Sequence, residues 1–256
     1  MQPDFDRTPS QTEAKGSASS PDDAEPRPAP HDETLADLGP LYHDFSFLGV
    51  ANTQISEVYR LNQKAKAPVI IEYLQKALRL CREKQESSPS FTELFCADGY
   101  YAMVAAKLGY RPAIGIDDNR DGYSAKAKEI ARRLNLSQCR FVEATITADS
   151  QHERSDVVAN LGGLYHVSNP REILLNSYRL AKSHLIVQSV VSLANDDATY
   201  FESPAPGWTW GCRYNRRSFH EMVSDTCPGI IESRFNELGG NERLEDRGSA
   251  YYLIEK

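Results

Sequence analysis

The sequence predicts an α/β fold, a mostly parallel sheet with helices on both faces, and three observations carry that prediction. From residue 91 onward, short apolar runs alternate with segments of helical periodicity, as right-handed strand–helix–strand crossovers require. The 256 residues give room for one such domain with appendages, and a domain of that size buries a core without disulfide or metal help. The five cysteines (Cys81, Cys96, Cys139, Cys212, Cys227) are odd in number and form no CxxC or Cys/His cluster, so no metal site is expected and the thiols are read as reduced. The N-terminus shows no apolar core flanked by basic residues, and no run approaches the ~20 apolar residues that cross a bilayer. The expected setting is therefore cytoplasmic, with no membrane partner.

Half of the fourteen prolines fall in residues 1–40, among Ser, Asp, Glu and Ala and with almost no large apolar residue before Leu35. Such a segment cannot bury enough surface to offset its ordering entropy, so 1–36 reads as a disordered acidic tail, partner binding being its functional alternative. Residues 37–90 form an N-terminal lead-in. Its LGPLYHDFSFLGV is apolar enough to pack on the main domain, and Ala67–Arg82 reads as an amphipathic helix with Pro68 in its first turn. The polar EKQESSPS closes that helix. The main domain, 91–256, then reads strand 91–96, helix 99–109, strand 112–117, helix 122–134, strands 139–143 and 155–161, helix 170–181 and strand 183–190. An irregular insert, 191–214, holds both tryptophans; helix 215–225 and strands 229–236 and 249–255 complete the chain.

The formal charge is −7, but residues 1–38 carry nine Asp/Glu against three Lys/Arg, which leaves the rest of the chain nearly neutral. A duplex or long RNA draws on a broad basic surface, because counterion release from phosphates supplies much of its affinity. No such surface is written here, so nucleic acid is a disfavoured partner.

The chemistry concentrates at 92–118, TELFCADGYYAMVAAKLGYRPAIGIDD. Glu93 lies in an apolar strand, the loop Phe95-Cys96-Ala97-Asp98-Gly99 opens a helix, and the next strand ends in Asp117-Asp118. In an open α/β sheet, ligands sit outside the carboxyl ends of the strands at the switch point, where an acid closing the second strand can accept from both ribose hydroxyls. A dinucleotide enzyme uses the same acid, so the loop discriminates. The diphosphate fingerprint G-x-G-x-x-G brings glycines under the phosphates, whereas Phe95 stands at the first glycine position and Asp98 sets a carboxylate where a diphosphate would lie. A sulfonium nucleoside with an ammonium group suits an acidic loop.

ELFCADGYYAMVAAKLG…GID resembles the first motif of class I S-adenosylmethionine-dependent methyltransferases, and residues 156–189 resemble that superfamily's fourth and fifth strands. LGGLYH at 161–166 is similar to the tRNA wobble-uridine carboxymethyltransferase group. The resemblance implies a Rossmann-like sheet of seven strands, mostly parallel with the last antiparallel, and S-adenosylmethionine as cofactor. It places Glu93 near the methionine ammonium or organising the loop, with Phe95, Cys96 and Ala97 around Gly99 beneath the cofactor. Asp117 falls to the ribose, Asp118 and Asn119 to the adenine side, and Leu161 to the end of the fourth strand. Thr145 stands where the superfamily often has an Asp for the adenine amine, a departure at which Glu143 or a backbone amide is the substitute.

Methyl transfer is an in-line displacement that loses the sulfonium charge, so positioning and desolvation provide most of the acceleration. Tyr165 and His166, in the loop after the fourth strand, are the candidate catalytic residues. For His166 two readings stand: a base for an acceptor hydroxyl or amine, or a cap for the helix starting near Asn169-Pro170. The 191–214 insert reads as a substrate lid, with Trp208, Trp210, Arg213 and Tyr214 shaping an acceptor pocket and His43 closing from the lead-in; packing is the alternative for both tryptophans. The expected partner is a small-molecule or sugar-containing acceptor methylated on O or N, and a homodimer stays open as an assembly. Carboxymethyl transfer to tRNA, with Lys66 and Tyr165 holding the extra carboxylate, and a non-catalytic scaffold are the alternatives.

Overall fold

In the computed structural model residues 34–84 and 88–256 are described, so the tail assigned to 1–36 lies outside the described residues except for its last three. Those three belong to the body: Leu35 is fully buried and its N–H donates to the Ala51 carbonyl (2.8 Å). An apolar side chain at the head of the lead-in is enough to anchor the backbone there.

Helix α1 spans Glu57–Glu83 and begins ten residues before the sequence-based start at 67. Ser56 is extended and its hydroxyl accepts from the Tyr59 amide, so the helix already has its N-terminal cap there. Pro68 is therefore interior rather than in a first turn; it lies on the exposed side, where water can take the carbonyl left without a partner. The opposite stripe, Ile70, Tyr73, Leu74, Ala77, Leu78 and Cys81, is buried as its spacing requires.

The remaining elements are β1 (Phe91–Leu94), α2 (Tyr100–Leu108), β2 (Ala113–Asp117), α3 (Ser124–Arg133), β3 (Cys139–Glu143), β4 (Ser155–Leu161), α4 (Pro170–Leu180), β5 (Ala181–Val191), β6 (Phe201–Glu202), β7 (Arg213–Tyr214), α5 (Arg216–Thr226), β8 (Ile230–Glu237) and β9 (Gly248–Glu255). β1 ends at Leu94, short of 96, because Phe95 and Ala97 take positive φ (61° and 47°) and turn the chain out of the sheet. The insert is not wholly irregular: β6 and β7 pair antiparallel around a Phe201–Tyr214 ring contact at 4.7 Å.

The sheet runs β3-β2-β1-β4-β5-β9-β8, and only β9 opposes its neighbours. Two cores follow. Buried side chains of α1, α2 and α3 pack on one face with Phe91, Ala159 and Leu253, while those of α4 and α5 pack on the other with Val158, Val187 and Tyr252. The order reverses between β1 and β4, so the loops after β1, β2 and β4 open a crevice at their carboxyl ends. Among the described residues no helix is long and apolar enough to cross a membrane.

Candidate functional site

The loop after β1 is fixed from beneath. Gly99 caps α2 at φ 75°, and a Cβ there would lie 2.2 Å from Phe141 Cε1, so only glycine lets β3's ring sit under the loop. Glu93 is 1% exposed and accepts from the Ala102 amide (2.8 Å), which ties β1 to the first turn of α2. Burial pushes its pKa well up, and the nearby carboxylates of Asp98 and Asp117 add to the rise. Cys96 is buried in the same acidic surroundings, and desolvation first, then Glu93, drives its thiol pKa well up.

At the tip of β2 the half-buried Asp117 joins two loops: Oδ2 accepts from the Ala97 amide (3.0 Å) and Oδ1 from the Asn119 amide (2.9 Å). Asn119 sits at φ 57° and its Oδ1 accepts from the Ser124 amide at the start of α3 (2.9 Å). Asp118 turns outward to Arg120 (2.8 Å). Thr145 is exposed, and its carbonyl accepts from Ser150 Oγ (3.2 Å). Leu161 ends β4 and is buried. Across the crevice the Phe95 ring lies on Gly163, where a Cβ would come within 2.0 Å of Cδ2, so the β1 and β4 loops touch through a ring on a glycine.

His43 is turned inward rather than toward an acceptor. Its backbone N–H donates to Asp98 Oδ2 (2.8 Å), its Nδ1 lies 2.5 Å from Asp98 Oδ1, and its ring stacks on Tyr100 at 5.0 Å. Asp98, read from sequence only as a barrier to diphosphate, is fully buried and clasps the lead-in onto the cofactor loop.

Beyond β4, Tyr165 and His166 stand side by side with ring centroids 4.3 Å apart, and His166 stacks on Trp210 almost parallel (5.1 Å, 7°). Trp208 lies against Trp210 at 5.1 Å, and both indoles keep a little under half of their surface exposed. His166 keeps an exposed edge, yet the protein crowds its other sides. That desolvation, with the cations of Arg213, Lys66 and Arg120, lowers its pKa to about 4, so the ring is neutral at pH near 7. Helix α4 has Asn169 at its N-cap and no side-chain cap bond. Burial raises the Tyr165 phenol to about 12.

Arg213 and Tyr214 diverge, as neighbours in a strand must. Arg213 is 4% exposed; it pairs with Asp246 (2.7 Å), lies 5.4 Å over the Tyr165 ring, and keeps a buried Nε with no partner among the described residues. Tyr214 faces away, between Phe201 and Phe219. The early start of α1 adds two residues to the site that the helix read from 67 leaves out. Tyr59 meets Tyr42 at 4.7 Å, and Lys66, seven residues on along the same face, lies within electrostatic reach of His166. Lys66 has no ion pair or hydrogen bond among the described residues, and desolvation lowers its pKa to about 8.

No family model matches the chain, and no curated protein sequence does. Solved structures do. The N-terminal domain of EvdMO1 with SAH bound superposes with a TM-score of 0.59 at 16% identity, over 86% of this chain and 92% of that one. Magnesium protoporphyrin IX methyltransferase (ChlM) from Synechocystis PCC 6803 with bound SAM gives 0.55 at 13%, over 80% and 86%. The cyclase SpnF gives 0.54 at 15%, over 67% and 75%. At such identities the likeness is one of fold, and a cyclase among the matches shows that the fold alone does not name a reaction. The seven-stranded sheet with its single reversed strand is the Rossmann-like fold of class I methyltransferases.

Proposed function

We propose that the chain is an S-adenosylmethionine-dependent methyltransferase acting on O or N of a small-molecule or sugar-containing acceptor. The observation that carries this reading is Asp117, a carboxylate at the tip of β2 whose two oxygens each accept one amide and keep lone pairs for a pair of ribose hydroxyls. The fit extends to Glu93. Its carboxyl is buried without a counter-charge among the described residues, and a ligand ammonium would supply one. Two structures of the same fold, EvdMO1 and ChlM, were solved with SAH and SAM bound.

The donor would bring a methyl group on a sulfonium; this chain's residues do the rest. Glu93 and Asp117 hold the polar ends of the nucleoside, and Phe95 and Gly163 shut the crevice between the loops against water. Trp210 and His166 give the acceptor a flat wall, and the neutral imidazole accepts a hydrogen bond from the attacking hydroxyl or amine, its lowered pKa passing the released proton on to water. Calorimetric titration tests the reading: S-adenosylmethionine and its demethylated product bind, NAD does not, and Asp117→Ala loses at least about tenfold in affinity with its thermal transition retained. NAD binding in place of the sulfonium nucleoside overturns it.

One observation favours a second reading. Lys66, without a partner among the described residues, and the orphan Nε of Arg213, both within electrostatic reach of His166, are suited to a carboxylate, as carboxymethyl transfer from carboxy-S-adenosylmethionine to tRNA would need. The near-neutral body weighs against a tRNA partner. The intact mass of cofactor extracted from purified protein separates the two donors, and an empty extract would point to a scaffold.

A further inference from the structure

The geometry points to a second ligand site that takes a nucleoside monophosphate, away from the crevice of β1, β2 and β4 and outside the methyl-transfer reading. It lies between α5, the β8–β9 face and the loop after β5, where a cavity of about 910 Å³ opens. That volume is within the range of small-molecule sites.

Its walls offer flat faces and free charge. The Arg216 guanidinium lies 4.5 Å over the Phe235 ring, and no described residue pairs with it or accepts from it. A guanidinium held flat on a ring keeps its N–H fork aimed outward, already oriented for a bidentate phosphate contact. Arg217 pairs with Glu221, at 3.4 Å and in the open, a pair worth little in water. Arg234 also borders the cavity, but its guanidinium is taken by Glu72 and Glu232, so Arg216 and Arg217 are the available cations. His220 and Tyr252 make a second flat surface, with rings stacked at 5.7 Å and Nδ1 3.3 Å from the phenol oxygen. Asp196 lines the same cavity with no partner among the described residues, an acceptor for ribose hydroxyls.

The helix end is not the source of the anion preference. Asn215 Oδ1 already accepts from the Ser218 amide and Ser218 Oγ from the Asn215 amide, so α5 arrives capped by its own side chains. Recognition falls to side chains, and the chemistry they share is a planar base joined to a phosphate. Inorganic phosphate would leave the His220–Tyr252 surface unused.

Titration of the full chain with AMP, inorganic phosphate and adenosine separates these contributions. AMP is expected to bind more tightly than either fragment. Arg216→Ala should weaken AMP about tenfold, and Arg216→Lys, which keeps the charge but loses the fork, by less. Arg216 is exposed, so both variants should keep the wild-type thermal transition. Asp117→Ala should leave AMP affinity unchanged. The proposal fails if AMP gives no heat, if inorganic phosphate matches AMP, or if Asp117→Ala rather than Arg216→Ala removes the binding, which would seat AMP in the β1–β2 crevice.

Discussion

At Glu93 burial and charge pull against each other. Its folded pKa lies above that of the unfolded chain, so the native state holds the proton longer. The contribution to stability is complete below the ordinary carboxylate range and is lost as pH rises through the raised value. Glu93→Gln keeps an acceptor for the Ala102 amide and removes the titration, so its melting temperature should gain on wild type as pH rises above the ordinary carboxylate range. A gap that stays constant with pH, by differential scanning fluorimetry, contradicts this. Gly99→Ala should cost about 2–4 kcal/mol in chemical denaturation, since the added methyl collides with Phe141 at a positive φ. The places of both residues, Glu93 in β1 and Gly99 at the head of α2, were legible, because strand, loop and helix follow one another within a few positions. The inward turn of His43 was not: its partner Asp98 is 55 residues away, and nothing local in YHDF says which way the imidazole faces. The ion pair of Arg213 was hidden for the same reason, with Asp246 supplied from beyond β8.

Among the elements, the strands and helices between 91 and 190 lie within two residues of where apolar periodicity put them, because each buries a face that its spacing already displays. The first ten residues of α1 display no such face. They are largely polar and rest on a capping serine, and Pro68 is easily taken for the beginning. Ser56→Ala should therefore cost about 1 kcal/mol, with amide exchange quickening in the first turn of α1 and leaving its buried half unchanged. The β6–β7 pair, two residues a side, is too short for any period to show and depends on one ring contact.

For the whole molecule, the lead-in and the sheet are held together through the cofactor loop: Asp98 clasps His43, and Asp117 binds the same loop to β2. Asp98→Asn weakens the clasp without emptying the core. Deuterium uptake should rise across 41–55 while β1, β4 and β5 stay protected; uniform uptake would mean that the clasp carries no regional order. The sheet order also bears on synthesis. β9 runs between β5 and β8, and its Tyr252 and Leu253 face opposite cores. A nascent chain that has emerged only through 247 holds β8 with nothing to zip onto, and the β5 flank, apolar from Leu185 to Val187, lies open to any neighbouring polypeptide. Emergence of β9 thus sets how long a half-built sheet waits, and a chaperone covering β5 would matter most in that interval.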